Sequence, residues 1–402
     1  MRTARKDGIS LYIHIPFCVK KCLYCDFLSF SASEIKKQDY VKALLNELAA
    51  WEEILTDNTA VMDKLYFKTV FTGGGTPTCL EPSMLLEIAQ AVKKYTDENT
   101  EFTVEANPGM ITDNHINVFK EAGINRISLG LQSAQDEELK MLGRIHTFKG
   151  FCNSYQKLKE AGFNNINIDL MADIPGQDIA SYKDTLEKVL AFEPSHISAY
   201  SLIVEPGTEF YKMHEQGMLN IADEDTDRQM YNLTKEILGK HGYNRYEISN
   251  YSKKGMECLH NMTYWTVSNY LGTGLGASSY INGTRFTGTR DFNKYTSIFK
   301  ERAEPGMAVF QVQKNIGNSY EKLPVKNQME EFMFLGLRMS KGVSKSIFMD
   351  RFGISMDKVY GSVIEHFLQN GLLEQDINND NIYLTARGID ISNYVMSDFI
   401  LD

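Results

Sequence analysis

The sequence predicts an α/β fold: a partial (β/α)6 barrel followed by a smaller α+β domain of winged-helix type. Three observations carry that expectation. Short β-rich runs alternate with longer helical patterns over roughly the first 240 residues. The helix-to-strand joint Ala-Gly-Ile/Phe-Asn occurs twice, at 122–125 and 161–164. Chemistry-bearing residues gather where successive strands end. Strands in this order need helical crossovers and so lie parallel, and in such barrels the chemistry sits at the C-terminal strand ends.

The elements follow in order. Candidate strands cover 11–15, 64–72, 101–106, 126–132, 165–171 and 196–203, with helices over 34–55, 82–95, 112–121, 148–161, 178–191 and 223–241. Thr112 and Asp113 suit a helix N-cap, and Gly123 and Gly162 suit the left-handed position after a helix end. From residue 243 the pattern changes to an aromatic-rich stretch and then to Gly272-Thr-Gly-Leu-Gly-Ala277. Beyond Pro324, helices are expected over 328–339, 345–352 and 357–370, with short strands at 372–374 and 382–385 around a turn-like Asn378-Asn-Asp-Asn. These shifts divide the chain into 1–242, 243–315 and 316–402.

Bulk charge narrows the function classes. The net charge of -10 and a pI near 5.4 leave no electrostatic footprint for nucleic acid. The C-terminal helices and hairpin are therefore expected to be a packing or partner module. No apolar run approaches the ~18 residues of a membrane span. The polar start, Met1-Arg-Thr-Ala-Arg-Lys-Asp, lacks an apolar signal core, so the expected location is the cytoplasm, where thiols stay reduced.

Three of the six cysteines, Cys18, Cys22 and Cys25, fall in one loop just after the first strand. Core packing explains that clustering poorly, whereas a metal centre explains it directly. Structural zinc wants four ligands and paired Cys-x2-Cys knuckles. No second pair exists here, although His14 could supply a fourth ligand. A ferredoxin site wants four cysteines, and Cys79, Cys152 and Cys258 are isolated and read as buried thiols. The remaining reading is a [4Fe-4S] cluster on three cysteines, its fourth iron open to a chelating small molecule, with zinc as the alternative. Gly73-Gly-Gly-Thr-Pro-Thr78 ends the second strand. Such glycines admit close backbone approach and present N–H groups to an anion, or simply make a strand-to-helix turn.

Tyr12-Ile-His-Ile-Pro-Phe-Cys-x3-Cys-x2-Cys followed by Gly-Gly-Gly-Thr-Pro-Thr resembles the radical S-adenosylmethionine (SAM) superfamily. Within it, nearly the whole chain resembles the group of oxygen-independent coproporphyrinogen III oxidases. The resemblance implies a radical-SAM barrel with the cluster on Cys18, Cys22 and Cys25, and SAM chelating the open iron. It further implies that Tyr12 lines the SAM site, that Tyr24 lies against the adenine, and that Gly74, Gly75 and Thr76 approach the methionine part. Glu105 would accept from the SAM amino group or a ribose hydroxyl, Gln132 and Asp169 would bond the ribose, and Arg144 would pair with the SAM carboxylate or a nearby acid.

Two departures separate this chain from the oxidases. They carry a further cysteine two residues after the third, where Phe27 stands here, and a longer extension ahead of the first strand, where eleven residues precede Tyr12. His260-Asn-Met-Thr-Tyr-Trp265 instead resembles the motif of the haem-chaperone branch. An imidazole beside an aromatic pair suits a porphyrin, so His260 is the haem-binding candidate, with a packed, hydrogen-bonded core histidine as the alternative. The expected function is a haem carrier that delivers haem to an acceptor protein, a respiratory membrane protein among the candidates. The alternative is radical oxidative decarboxylation of coproporphyrinogen III.

Overall fold

The computed structural model describes residues 8–57, 65–301, 317–376, 378 and 380–401. The polar start of the chain, the expected first residue of the second strand and the 315/316 boundary lie outside the described residues.

Six strands, β1 (Ile9–Ile15), β2 (Phe67–Gly74), β3 (Glu101–Ala106), β4 (Arg126–Gln132), β5 (Ile166–Ala172) and β6 (His196–Ser201), lie side by side in chain order. Each pairs parallel with the next. Helical crossovers separate them, from α1 (Glu34–Asp57), α2 (Pro82–Lys93) and α3 (Asp113–Ala122) to α4 (Asp136–Met141), α5 (Phe148–Glu160) and α6 (Ile179–Leu190). Two further helices, α7 (Glu209–Glu215) and α8 (Glu224–Lys240), follow β6. The caps are those the residues promise. Thr112 closes a capping box at α3, and Gly123 ends that helix in the left-handed region at φ 80°.

The barrel is open. The free edge of β6 takes the short β8 (Asn250–Ser252) antiparallel, and β8 takes β7 (Asn244–Arg245). At the opposite edge, β1 pairs parallel with β9 (Tyr270–Thr273), which leads into β10 (Ser278–Ile281), β11 (Thr284–Gly288) and β12 (Gly317–Lys322). The aromatic and glycine-rich stretch thus extends the sheet rather than standing apart from it, completing twelve strands. Short strands with glycine turns and few β-branched residues leave little sequence signal of their own.

Alternation along the strands sorts the chemistry. Leu11, Ile13, Val70, Phe102, Val104, Ile127, Leu129, Ile168, Leu170 and Ile197 join the core beneath the helices. Their neighbours face the other way, into the concave side of the sheet: Tyr12 and His14, Thr69 and Phe71, Glu101 and Glu105, Arg126 and Ser128, Asn167 and Asp169, His196 and Tyr200. The period of two dictates this split.

The C-terminal unit has its own core, with Met333, Phe348, Phe367 and Phe399 among its buried side chains. Helices Val325–Gly336, Lys345–Phe352 and Met356–Gln369 pack on a three-stranded sheet, Val343–Ser344, Asn381–Leu384 and Leu373–Asp376. The two-residue Val343–Ser344 strand is too short to announce itself in sequence. No described helix is long and apolar enough to cross a membrane.

Candidate cofactor and ligand sites

A cavity of about 380 Å³ opens at the C-terminal ends of the parallel strands. Cys18, Cys22 and Cys25 line it together with Tyr24, Gly74, Gly75, Thr76, Glu105, Gln132, Arg144 and Asp169. Eleven residues separated by up to 151 positions in sequence thus come together, leaving only Tyr12 elsewhere among the cluster and SAM candidates.

Backbone bonds shape the cysteine loop. Cys18 N–H donates to Phe30 O at 3.1 Å, Phe30 N–H to Pro16 O at 2.9 Å, and Leu23 N–H to Leu142 O at 3.0 Å. The glycine turn locks beneath it, with Gly75 N–H donating to Ile15 O at 2.8 Å and Thr76 N–H to Phe17 O at 2.7 Å. A Cβ on Gly75 would lie 2.6 Å from Phe17 O, so only glycine fits between these backbones. Gly74 adopts φ 107° and donates its N–H to Glu105 Oε2 at 2.9 Å. Thr76 Oγ1 lies 3.6 Å from Cys18 Sγ, and Arg144 Nη1 donates to Cys22 Sγ at 3.5 Å.

The acids and the arginine sit in low dielectric. Burial pushes the Glu105 carboxyl up to about 7, against the favourable Gly74 N–H, with Asp169 also raising it. Burial raises Asp169 as well, although Asn167, Ser198 and Ser128 hydrogen-bond it. Arg144 Nη2 donates to Asn107 Oδ1 at 2.7 Å and also to Gly130 O. Its Nε is buried without a hydrogen-bond partner, a donor that an added acceptor would satisfy. Gln132 holds φ 75° beside an irregularity in the β4–β5 register, which turns it into the cavity, where Tyr200 OH donates to its Oε1 at 3.3 Å.

These residues fit an iron–sulfur cluster better than one metal ion. Among the described residues, no three His, Cys, Asp or Glu side chains converge closely enough to hold a single ion. A cluster takes each thiolate on a different iron and so suits three sulfurs spread around a cavity wall. His14 has no free nitrogen for zinc: its Nδ1 shares a hydrogen bond with Tyr12 OH at 3.0 Å, and its Nε2 lies 2.9 Å from Leu28 O. Burial alone already pushes the Cys25 thiol up, so a bound metal would have to offset that cost to hold the thiolate. Of the isolated cysteines, Cys258 is buried, while Cys79 and Cys152 are only half-buried, less enclosed than the sequence suggested.

Tyr12 lines a second cavity, of about 540 Å³, that shares Gly74, Glu105, Asp26 and Phe27 with the first. Phe71, His260, Asn261, Tyr264 and Tyr270 also line it, and Arg290 brings a cation to it. Rings dominate its wall: Phe71 stacks on His260 with centroids 5.0 Å apart, and Tyr12 stacks on Phe71 at 6.2 Å. Phe27, at the position where the oxidases have cysteine, is 59 % exposed on the wall common to both cavities.

His260 sits on the short helix α9 (Leu259–Trp265) and is buried. Its Nδ1 is 2.8 Å from Thr69 Oγ1 and its Nε2 2.9 Å from Tyr264 OH, so both nitrogens have partners. Burial, with Arg126 and Lys68 nearby, pushes it down to about 3, which keeps the imidazole neutral. As an iron ligand it would first have to release one of these hydroxyls. Sequence reasoning did not single out Phe71, Thr69, Asn107, Tyr200 or Arg290. The period-two alternation that puts Thr69, Phe71 and Tyr200 on the concave face was the available signal for three of them.

Comparison with known proteins agrees with this geometry. The Radical SAM superfamily model matches residues 12–189, and the HemN C-terminal domain model matches 323–391. The chain is 36% identical to "Heme chaperone HemW" of Bacillus subtilis over 394 residues, covering 97% of this chain and 99% of that one. It is 38% identical to the protein of the same name from Lactococcus lactis, covering 98% and 97%. Coproporphyrinogen III oxidase (HemN) from Escherichia coli shares the fold, with a TM-score of 0.80 at 19% identity over 99% of this chain and 92% of that one. The chain belongs to the radical SAM superfamily and, within it, to the HemW family.

Proposed function

We propose that this protein is a haem chaperone that holds a [4Fe-4S] cluster and SAM in one cavity, seats haem in the adjoining one, and passes the haem to an acceptor protein. The observation that carries the reading is the pairing of two unlike cavities across one wall: thiols and carboxylates on one side, stacked rings on the other. A porphyrin is flat and apolar with carboxylate side arms, and an aromatic wall near a cation is the chemistry that receives it.

In this reading Cys18, Cys22 and Cys25 hold the cluster, which with SAM supplies one-electron chemistry when bound. Gly74, Gly75 and Thr76 let the SAM methionine part approach the backbone, and Glu105 accepts from its amino group. Gln132 and Asp169 take the ribose, Tyr24 faces the adenine, and the orphaned Arg144 Nε finds its acceptor in the SAM carboxylate. Tyr12 belongs to both tasks, because it stands behind Gly74 and faces the ring cluster. His260 contacts haem, and takes the iron only by exchanging its bond with the Tyr264 hydroxyl. Residues 1–242, 243–315 and 316–402 then form barrel, motif segment and C-terminal domain. The protein works in the cytoplasm and delivers to a respiratory membrane protein.

Phe27 weighs against the oxidase reading, since it puts an inert ring at the shared wall where the oxidases have a thiol. Anaerobic reconstitution followed by haem titration tests the proposal, with 5′-deoxyadenosine measured in the same samples. Stoichiometric haem binding without porphyrinogen-dependent deoxyadenosine supports it. Porphyrinogen-dependent deoxyadenosine and carbon dioxide release without haem binding overturns it.

A further inference from the structure

We propose that the C-terminal domain is the positioning element for the helix that carries His260, acting through Arg351 on a strained left-handed residue, Val267. The inference rests on the haem-seat reading for its biological meaning, but its physical content stands apart from it.

The helix α9 is only seven residues long and has no side-chain cap at its start. A helix this short holds its place through its ends and its packing. At the N-terminal end the barrel provides the anchor. Leu259 and His260 donate their N–H groups to the buried Glu101 carboxylate, both at 3.0 Å. A carboxylate there suits the helix dipole.

The other end depends on the C-terminal domain. Directly after the C-cap Thr266, Val267 adopts φ 48°. A β-branched residue in the left-handed region is an outlier that persists only where its surroundings hold it there. The backbone supplies part of that hold, with Val267 N–H donating to Tyr264 O at 3.1 Å and Ser268 N–H to Thr263 O at 3.0 Å, and Arg351, on the helix Lys345–Phe352, adds to it. Its Nη2 donates to Val267 O at 2.9 Å and to Tyr280 OH at 3.3 Å, and its Nη1 reaches Thr266 O at 3.5 Å. The guanidinium thereby ties the end of α9 to β10 and meets the helix C-terminus with a positive charge. Arg338, beyond the helix Val325–Gly336, lies over the Trp265 ring at 4.5 Å and presses on the same end.

His260 at the first anchor, and Asn261 and Tyr264 between the two, are three side chains of the second cavity. About 7.5 Å of helix rise separates His260 from the helix end at Trp265, so releasing the far end tilts the wall that bears the imidazole. The domain therefore acts on the ring cavity without entering it.

The test uses the full chain, reconstituted anaerobically. Arg351→Ala is expected to weaken haem binding roughly tenfold, equivalent to about 1.4 kcal/mol, and to shift the haem absorption maximum while leaving cluster absorbance unchanged. Val267→Gly adopts the same φ without strain. Adding it to Arg351→Ala should restore affinity to within about twofold of the parent. Arg351→Lys, which keeps the charge but not the fork, should fall between. Independently of haem, amide hydrogen exchange at Thr266, Val267 and Ser268 should quicken in Arg351→Ala. Unchanged exchange in Arg351→Ala, or failure of Val267→Gly to rescue, overturns the inference. A parent protein that binds no haem overturns the chaperone reading alone, because the exchange comparison still decides whether the clamp exists.

Discussion

Gly75→Ala is the sharpest test of how the glycine turn supports the cluster loop. The added methyl would meet Phe17 O at 2.6 Å, Ile15 O at 2.8 Å and Phe17 N at 2.9 Å, where ordinary contact begins at 3.4 Å. The shortfall of about 0.8 Å falls between backbone atoms that cannot rotate away, and overpacking of this kind costs about 1–3 kcal/mol. Two hydrogen bonds run through the same gap, from Gly75 to Ile15 and from Thr76 to Phe17, so the upper part of that range is expected. Any shift of Phe17 also moves Cys18, its neighbour in sequence. Urea unfolding should show a lower midpoint, and anaerobic reconstitution a lower cluster absorbance per chain. Gly123→Ala is the control: its φ of 80° carries backbone strain, but nothing lies within 4 Å of the new methyl, so cluster loading should match the parent. If Gly75→Ala unfolds within about 0.5 kcal/mol of the parent and takes up a full cluster, the turn does not act as described.

Other substitutions probe separate parts of the molecule. Serine at Cys18, Cys22 or Cys25 should abolish cluster absorbance while far-ultraviolet circular dichroism stays native, since all three thiols line a cavity rather than fill a core. Thr69→Val removes the partner of His260 Nδ1, so the haem spectrum should shift while SAM affinity holds. Glu47 is buried beneath the Gly274 turn, where Gly274 N–H and Tyr295 OH both donate to its Oε2 at 2.7 Å. Burial pushes its carboxyl up to about 7, so the folded state binds the proton more tightly than the unfolded state. Its contribution to stability is therefore full below about 4.5 and is lost as pH rises through about 7. Glu47→Gln should flatten that part of the stability–pH curve, which denaturant titration between pH 4.5 and 8 would measure.

What could be read from the chain depended on whether a residue's neighbours were near in sequence. The parallel barrel was legible because its signals are local: apolar runs, Thr112 and Gly123 at helix ends, and glycine turns at fixed places. The cysteine loop was legible for the same reason. The second cavity was not, because it is made where β1, β2 and α9 meet, and nothing near His260 in sequence reveals Thr69 or Phe71. The motif histidine shows the limit most clearly. Its aromatic neighbours suggested a ligand, yet two hydroxyls, one of them 191 residues away, occupy its nitrogens. Short strands such as Tyr270–Thr273 escaped notice because four residues around glycines carry almost no periodicity.

The pairing of β1 with Tyr270–Thr273 has a consequence for how the chain is made. The strand leading into the cysteine loop is the first described element, yet one of its two neighbours is supplied some 260 residues later, Ser10 opposite Tyr270. On the ribosome, where synthesis runs from the N-terminus, β1 waits with one row of hydrogen-bonding groups unpaired until residue 273 has emerged. Tyr40 donates to His14 O at the base of that strand and accepts from Leu275 N–H, so its network too closes late. A strand edge left open in this way is exposed to mispairing, and long-range closure is slow. The cysteine loop therefore acquires its final support only once residue 275 has emerged, some 250 residues after Cys25.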